Sequence, residues 1–385
     1  LGMTEFTNVK DFPLIYNETQ RATLGVPRSF QIVDEESALF LNNVDDKGTL
    51  GIYIAKFGTD SSEELLVNPS TLLDSTNEID IPDEVKALKE RLRDLSTGIS
   101  SFQYSKESDI LMFSLSTSVF LFSIDQKRIL RTFENIFLPR LSPDGQYLCA
   151  CQGRALEVYR TKDGELIKTI EKDNYIWGQP DFISAEEMGR YSSTWFSPDS
   201  KTLVSLGYND NDVELTFIKN NADAEAKAYK YPYAGTANPK LFLNTYQIEN
   251  DDSFVEINDE YYVDTVFCSN KIISITLNRE QNKLSSSTGD FTYESYRAID
   301  LLNVVPTCLG NNKWLHYDID RELDTRHLAL DGKKIKGTDS LINVFGFSKN
   351  HLFFQIMEDG QLFTIKRISI HDLESEKFLE NDCTD

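Results

Sequence analysis

Two stretches decide the fold: residues 141–150 read Leu-Ser-Pro-Asp-Gly-Gln-Tyr-Leu-Cys-Ala, and residues 196–206 read Phe-Ser-Pro-Asp-Ser-Lys-Thr-Leu-Val-Ser-Leu. Each joins a Ser-Pro-Asp turn to an apolar strand, and a second strand follows each, at 154–159 and at 213–218. The two stretches begin 55 residues apart (196 − 141), which is close to one four-stranded repeat of about 40–50 residues plus an insertion. A weaker copy, Phe347-Ser-Lys-Asn350, precedes another apolar strand.

Most of the remaining chain also has the alternating pattern of half-buried strands, separated by Asp-Gly turns that suit tight hairpins. Such strands are expected at 29–33, 51–55, 146–150 and 351–355. Helical periodicity is concentrated in one segment, residues 81–96, which is predicted to be a helix. A β-sandwich would not show the long repeat, and a parallel β-helix would show a much shorter one. The pattern therefore predicts an all-β fold, a β-propeller of four-stranded blades with a short helical insertion.

Composition and charge exclude several functional classes. The chain has 385 residues, with 62 Asp and Glu against 39 Lys and Arg, a formal charge of −23. Such a surface repels phosphate backbones, so no nucleic-acid partner is expected. The longest apolar stretch, residues 110–124, is interrupted by Ser and Thr and is too short to span a bilayer, so it predicts two buried strands and no membrane partner.

The cysteines and histidines do not form a recognisable catalytic or metal site. The five cysteines are scattered, which indicates isolated buried thiols and a reducing compartment. Since the first residues also lack a secretory leader, a cytoplasmic location is expected. Gly346-Phe-Ser-Lys-Asn350 lacks the second glycine of a nucleophile elbow, and Asn209-Asp-Asn-Asp212 lacks the rest of a calcium loop. We expect no catalytic residues, no metal, no cofactor and no activity from this chain alone.

One segment carries functional information: residues 177–200 contain Glu186-Glu187-Met-Gly-Arg190-Tyr, followed by Trp195-Phe-Ser-Pro. It resembles the N-terminal propeller of dipeptidyl-peptidase-IV-like serine peptidases of the prolyl oligopeptidase family. A second match, Tyr231-Pro-Tyr-Ala-Gly-Thr-Ala-Asn-Pro239, follows, and a third, Leu24-Gly-Val-Pro-Arg-Ser-Phe30, lies upstream. Family propellers have seven or eight blades. The resemblance leaves open whether this chain contains all of them.

The resemblance implies roles for individual residues. Glu186 and Glu187 match the pair that binds the free amino group of a substrate peptide, and they lie in an insertion at 178–194. Arg190 either orients these carboxylates or neutralises them. The implied domains are an N-terminal extension over 1–20 and a propeller over 21–385.

The resemblance also implies partners. Family members continue into an α/β-hydrolase domain with Ser, Asp and His, which is missing from this sequence. The chain is then a substrate-gating, peptide-N-terminus-binding module of a dipeptidyl aminopeptidase, with peptides and that hydrolase domain as partners and a homodimer as a candidate assembly. The alternative is a stand-alone propeller that serves as a protein-interaction scaffold.

Overall fold

The computed structural model describes most of the chain and divides it into two compact units, Leu1–Glu256 and Ile257–Asp385. The described residues are 10, 12–18, 24–34, 36–57, 61–73, 97–115, 117–218, 227–258, 261–269, 271–294, 306–309, 313–320, 322–323, 325–347, 350–358, 362–369, 371 and 375–379.

Three short helices lie within the described residues: α1 (Phe12–Glu18), α2 (Ser70–Leu73) and α3 (Phe182–Glu186). The helix predicted over 81–96 lies outside the described residues. Of the predicted N-terminal extension, residue 10 and α1 are described.

In its described residues, the first unit contains four main sheets and a separate two-stranded hairpin. The first sheet has β1 (Arg28–Asp34), β2 (Ser37–Asn43), β3 (Thr49–Lys56) and β4 (Ser62–Val67), with β5 (Thr97–Gly98) parallel to β3. The second has β6 (Phe102–Ser105), β7 (Ile110–Leu115), β8 (Ser118–Ser123) and β9 (Arg128–Glu134). The third has β10 (Phe137–Leu141), β11 (Tyr147–Gln152), β12 (Ala155–Arg160) and β13 (Leu166–Ile170). The fourth has β14 (Ile176–Trp177), β15 (Thr194–Phe196), β16 (Thr202–Asn209), β19 (Lys240–Gln247) and β20 (Asp252–Ile257). The two strands between β16 and β19 in the sequence, β17 (Leu215–Ile218) and β18 (Lys227–Lys230), form a separate hairpin.

The described part of the second unit contains three four-stranded sheets. The first of them has β21 (Tyr261–Cys268), β22 (Lys271–Leu277), β23 (Lys283–Ser286) and β24 (Thr292–Glu294). The next has β25 (Thr307–Cys308), β26 (Trp314–Asp320), β27 (Thr325–Leu330) and β28 (Lys333–Lys334). The last has β29 (Leu341–Phe347), β30 (His351–Glu358), β31 (Leu362–Ser369) and β32 (Ser375–Leu379).

The predicted fold class is confirmed: the chain is a nearly all-β protein of the β-propeller class. Across the described residues, seven sheets follow one another along the sequence. In each of them, four strands are hydrogen-bonded in order. Within each unit, the core lies between neighbouring sheets, where buried apolar side chains of one sheet pack against those of the next. The apolar stretch 110–124 forms two buried strands, as predicted, because both faces of β7 and β8 are covered.

The repeated Ser-Pro-Asp turns have the same internal hydrogen bonds and link neighbouring sheets. In the first, the Ser142 hydroxyl donates to Asp144 at 2.6 Å, and the equivalent bond of the second, from Ser197 to Asp199, has the same length. The Asp144 amide then donates to the Ser200 hydroxyl of the other turn at 3.0 Å. The repeat is thus a lateral contact between sheets as well as a turn.

The strand at 213–218 corrects one expectation. The repeat suggested that it follows β16 in the same sheet, as β12 follows β11. Instead β16 pairs with β19, and β17 pairs only with β18 among the described strands. An alternating pattern specifies a strand but not its partner, and here the hairpin is an insertion between the second and third strands of the sheet.

The cysteines correct a second expectation. Cys268 and Cys308 form a disulfide that joins the ends of β21 and β25, with their Cα atoms 5.5 Å apart. The prediction of isolated thiols is therefore wrong for these two residues, and the argument for a reducing compartment loses its basis. Cys149 and Cys151 are free and buried, and burial raises the pKa of the Cys149 thiol to about 12, so this thiol is inert at neutral pH.

Candidate functional site

The glutamate pair lies where the first strand of the fourth sheet is interrupted. Both β14 and β15 pair with β16: Trp177 lies opposite Gly207, and Thr194 lies opposite Ser205. The chain between them, residues 178–193, leaves the sheet and returns to it, and we call it the inserted segment. The Ser193 amide donates to the Gly178 carbonyl at 3.2 Å and closes the base of this segment.

The base requires glycine at its first position. Gly178 has φ +75°, and a Cβ there would lie 2.8 Å from Leu156 Cδ1 and 2.9 Å from Cys151 Sγ. Any side chain would therefore collide with the core of the preceding sheet in addition to the strain of a left-handed backbone. The side-chain Nε2 of Gln179 donates to the Gly153 carbonyl at 2.8 Å and ties the segment to the same sheet.

Helix α3 begins at an N-cap that the sequence specifies. Asp181 has extended backbone angles, and its carboxylate accepts a hydrogen bond from the Ser184 amide at 3.2 Å. It also accepts a bond from the Ser184 hydroxyl. Asp is one of the preferred capping residues because it satisfies an amide that has no partner within the helix. The cap thus fixes the start of the helix that carries the glutamates.

Arg190 locks the end of the inserted segment onto this cap. Its guanidinium lies 3.7 Å from the Asp181 carboxylate, with side chains only 9% and 7% exposed. It donates to the Ser193 hydroxyl at 2.6 Å and to the Ser192 carbonyl at 3.1 Å. The same group lies 5.8 Å from the centre of the Trp195 ring. Sequence reasoning missed Asp181 as the partner of Arg190, although its position before an apolar helix is a capping signal.

Glu186 and Glu187 lie at the far end of the helix and are exposed to solvent. Glu186 is the last helical residue, and Glu187 is the C-cap with helical angles, φ −101° and ψ −31°. The Glu187 amide donates to the Ile183 carbonyl at 2.9 Å, so the helical turn continues through both residues. Buried Ile183, Ser184 and Ala185 anchor the opposite side of the helix, so the two neighbouring carboxylates are presented from a fixed turn.

The second resembling segment packs against the same helix. The ring of Tyr231 lies 5.2 Å from Phe182 and 4.9 Å from Tyr233, edge to face in both cases. A cavity of about 230 Å³ beside α3 is lined by both segments together with the β17–β18 hairpin. The structure therefore brings together the glutamate segment and residues 231–239, which are more than 40 residues apart in the sequence. The hairpin was not identified as part of this region from the sequence.

Neither a metal cluster nor a membrane-spanning helix is found in the parts of the chain that the structure describes. No group of three or more His, Cys, Asp or Glu side chains is placed to hold a metal ion among those residues. None of the helices described is long and apolar enough to cross a membrane. Residues 209–212, considered above for calcium, form a turn in which the Asn211 amide donates to the Asn209 side chain at 2.9 Å and Asp212 pairs with Lys240 at 2.7 Å.

Three comparisons place the chain among known proteins. The family described as the dipeptidyl peptidase IV (DPP IV) N-terminal region matches residues 97–304. A probable dipeptidyl-aminopeptidase B of Fusarium vanettenii is 29% identical over 195 residues, 44% of this chain and 21% of that protein. Human dipeptidyl peptidase 8 is 31% identical over 96 residues, 22% of this chain and 11% of that protein.

A solved structure gives the fold. The crystal structure of Porphyromonas gingivalis dipeptidyl peptidase 4 superposes with a TM-score of 0.68 over 97% of this chain and 55% of that chain, at 15% identity. The matches thus span about a fifth or less of these curated relatives and about half of the solved structure.

Proposed function

The chain belongs to the family of the dipeptidyl peptidase IV N-terminal region, and from this premise we propose that Glu186 and Glu187 bind the free amino group of a peptide. In this proposal the chain is the substrate-gating propeller module of a dipeptidyl aminopeptidase. An α/β-hydrolase domain outside this sequence supplies the Ser, His and Asp that cut the peptide. Binding of the N-terminus at a fixed distance from that nucleophile makes the enzyme remove dipeptides.

The observation that supports this role most strongly is the contrast within the inserted segment. The side chains of Asp181 and Arg190 are only 7% and 9% exposed, whereas Glu186 and Glu187 are exposed to solvent on one helical turn. Successive side chains on a helix differ in direction by about 100°, so two neighbouring carboxylates can approach one ammonium from two sides. Each charge-assisted hydrogen bond contributes about 1.5–3 kcal/mol.

A binding experiment on the 385-residue chain tests the proposal. Calorimetric titration compares an Xaa-Pro tripeptide with a free N-terminus and its N-acetylated form. Glu186→Gln and Glu187→Gln are expected to weaken binding of the free peptide at least about 10-fold and to leave the acetylated peptide unaffected. Glu171→Gln, an exposed acid elsewhere in the same unit, is the charge-matched control. Equal affinity of the wild-type chain for both peptides would refute the proposed role.

The catalytic partner has its own test. The reading frame beyond Asp385 is expected to encode a Gly-x-Ser-x-Gly segment between a strand and a helix, the position of a hydrolase nucleophile. A stop codon directly after Asp385 in the natural gene would instead favour the scaffold alternative.

One surface feature favours a scaffold or a homodimer as a second candidate function. Leu215 and Phe217 lie on the same side of β17 and are 57% and 66% exposed. Exposed apolar side chains that adjoin one another on one face commonly mark a protein contact. Sedimentation analysis is expected to show a dimer for the wild-type chain and a monomer for Phe217→Ser. A wild-type chain that is monomeric at all concentrations would contradict the homodimer.

A further inference from the structure

Helix α3, which carries the glutamate pair, is too short to hold its own position. It spans five residues, Phe182–Glu186. Isolated helices shorter than about 12 residues are marginal in water, because the first turn fixes several residues for a single hydrogen bond. The direction in which Glu186 and Glu187 point therefore depends on the side chains against which α3 packs.

One of these side chains is Tyr231. Phe182 and Glu186 are four residues apart, so they lie on the same side of the helix. Phe182 is half-buried, and its ring meets the ring of Tyr231 edge to face, with the ring centres 5.2 Å apart and the planes at 73°. This is a favoured geometry for an aromatic pair. Tyr231 thus supports α3 on the side that carries Glu186, whereas Asp181 and Arg190 hold it from within the inserted segment.

The backbone at Tyr231 is itself fixed at the base of the β17–β18 hairpin. The Tyr231 amide donates to the Glu214 carbonyl at 3.0 Å. The ammonium group of the preceding residue, Lys230, donates to the carbonyls of Asp210 and Asn211 at 2.7 and 3.3 Å. These two residues directly follow β16, so the bonds tie the base of the hairpin to the end of a central strand of the fourth sheet.

A second ring extends the support to the hairpin. The ring centre of Tyr233 lies 4.9 Å from that of Tyr231, again edge to face. The Thr216 hydroxyl, on β17, donates to the Tyr233 hydroxyl at 3.0 Å. Thr216, Tyr233, Tyr231 and Phe182 therefore form a continuous path of contacts from β17 to the first residue of α3.

The cavity of about 230 Å³ beside α3 makes this path more important. Residues 181–183 line the cavity from the side of the helix, and residues 228–230 line it from the side of β18. Helix and hairpin do not pack directly across this space, and dispersion attraction falls off steeply over such a gap. The ring contact of Tyr231 with Phe182 therefore contributes a larger share of the attraction between the two elements.

We propose that Tyr231 is a positioning residue for Glu186 and Glu187, and that the β17–β18 hairpin is the support through which it acts. Two carboxylates that bind one ammonium must be held within a fraction of an ångström of the productive geometry. Tyr231 supplies this restraint on the Glu186 side of the helix. The inference rests on the function proposed above for the role of the glutamates, whereas the support of α3 by Tyr231 is independent of that function.

Amide hydrogen exchange of the 385-residue chain tests the support of the helix without any peptide. Tyr231→Ala is expected to speed exchange of residues 185–190 about 2- to 12-fold, the loss of one aromatic pair. Tyr231→Phe keeps the ring and is expected to restore wild-type exchange. Phe133→Ala is the matched control, since Phe133 is also half-buried and its ring centre lies 5.0 Å from that of Tyr159, in other sheets of the same unit. It is expected to leave residues 185–190 unchanged.

Calorimetric titration with the free and the N-acetylated Xaa-Pro tripeptide tests the effect on the glutamates. Tyr231→Ala is expected to weaken binding of the free peptide about 3-fold or more, because the carboxylates are in the binding geometry for a smaller fraction of the time. Tyr231→Phe and Phe133→Ala are expected to stay within about 2-fold of wild type. Binding of the acetylated peptide is expected to be the same in all variants.

A double-mutant comparison shows whether Tyr231 acts through Phe182. If it does, Phe182→Ala and Tyr231→Ala together speed exchange no more than the stronger of the two alone. If Tyr231→Ala fails to fold, Thr216→Val supplies the second measurement. It keeps the shape of the side chain, removes the hydrogen bond to Tyr233, and is expected to speed exchange of residues 185–190 about 2-fold or more.

The proposal is overturned if Tyr231→Ala leaves exchange of residues 185–190 unchanged, or if it speeds exchange equally throughout the first unit, which would make Tyr231 a general packing residue. It is also overturned if the wild-type chain prefers the free peptide and Tyr231→Ala binds that peptide as tightly. Equal binding of both peptides by the wild-type chain refutes the function proposed above instead, and the exchange measurements then decide whether Tyr231 positions the helix.

Discussion

Asp181 and Arg190 are the residues on which the geometry of the inserted segment depends. Both side chains are nearly fully buried and lie 3.7 Å apart, while Asp181 accepts a hydrogen bond from Ser184 and Arg190 donates one to Ser193. The resemblance led to two hypotheses for Arg190, that it orients the glutamates or neutralises them. Its contact with the helix cap supports a positioning role, exerted through Asp181 and Ser184.

Replacement of Arg190 by Met is therefore expected to destabilise the chain. It removes one partner of a buried ion pair and leaves Asp181 buried without its counter-charge, a change that costs about 3–5 kcal/mol. Urea denaturation measures the difference in unfolding free energy. Arg154→Met, an exposed arginine in the same unit, is expected to change it by less than about 0.5 kcal/mol. Similar effects of both substitutions would contradict the role given to the pair.

His316 predicts a dependence of stability on pH. Burial lowers the pKa of His316, and the nearby charges of Asp318 and Asp331 oppose this only in part. Because the folded-state pKa lies below the unfolded value of about 6.5, protonation favours the unfolded chain. The contribution of neutral His316 is present above that value and is lost as the pH falls below it.

Unfolding free energies between pH 8 and pH 5 measure this effect. The fall on acidification is expected to be smaller in His316→Leu than in wild type, and unchanged in the control His371→Gln, whose side chain is exposed. An identical pH profile for wild type and His316→Leu would show that His316 does not titrate as its burial implies.

At the scale of single strands and turns, local sequence was informative wherever the determining contacts are local. The Ser-Pro-Asp turns were predictable because Ser142 and Asp144 bond within the turn itself. The partner of β17 was not, because its alternating pattern suits any antiparallel neighbour. The Asp181–Arg190 pair depends on a fold of the inserted segment that spacing alone does not give.

The disulfide also escaped sequence reasoning, since a separation of 40 residues between Cys268 and Cys308 carries no pairing signal. Titration of thiols in denaturant is expected to give five per chain after reduction and at least two fewer without reductant, because Cys268 and Cys308 are bonded to each other. In the chain-entropy description, a loop of this size stabilises the fold by about 4 kcal/mol, so reductant should lower the unfolding temperature. Five titratable thiols in the unreduced protein would contradict the bond.

For the whole molecule, the predicted fold class followed from the long repeat, because consecutive four-stranded units are the defining feature of a propeller. The domain bounds at 1–20 and 21–385 and the helix at 81–96 stay predictions, since the structure does not test them.

Circular dichroism checks the composition of the whole chain. We expect a β-dominated spectrum with less than about 15% helix, against about a third in an average globular protein. A helix content near that average would be incompatible with the described sheets.

The central claim is that the glutamate pair recognises a free peptide N-terminus, and the most direct test is kinetic. In the longer protein that the proposal requires, with its hydrolase domain, kcat/KM is to be measured for free and N-acetylated peptides on wild type, Glu186→Gln, Glu187→Gln and the double variant. Each single substitution is expected to lower kcat/KM for free peptides about 10- to 150-fold. The free-energy loss of the double variant is expected to be smaller than the sum of the two single losses, because both carboxylates bind one ammonium. Acetylated peptides are expected to be poor substrates throughout and insensitive to substitution, whereas equal losses for both kinds of peptide would show that the pair is structural.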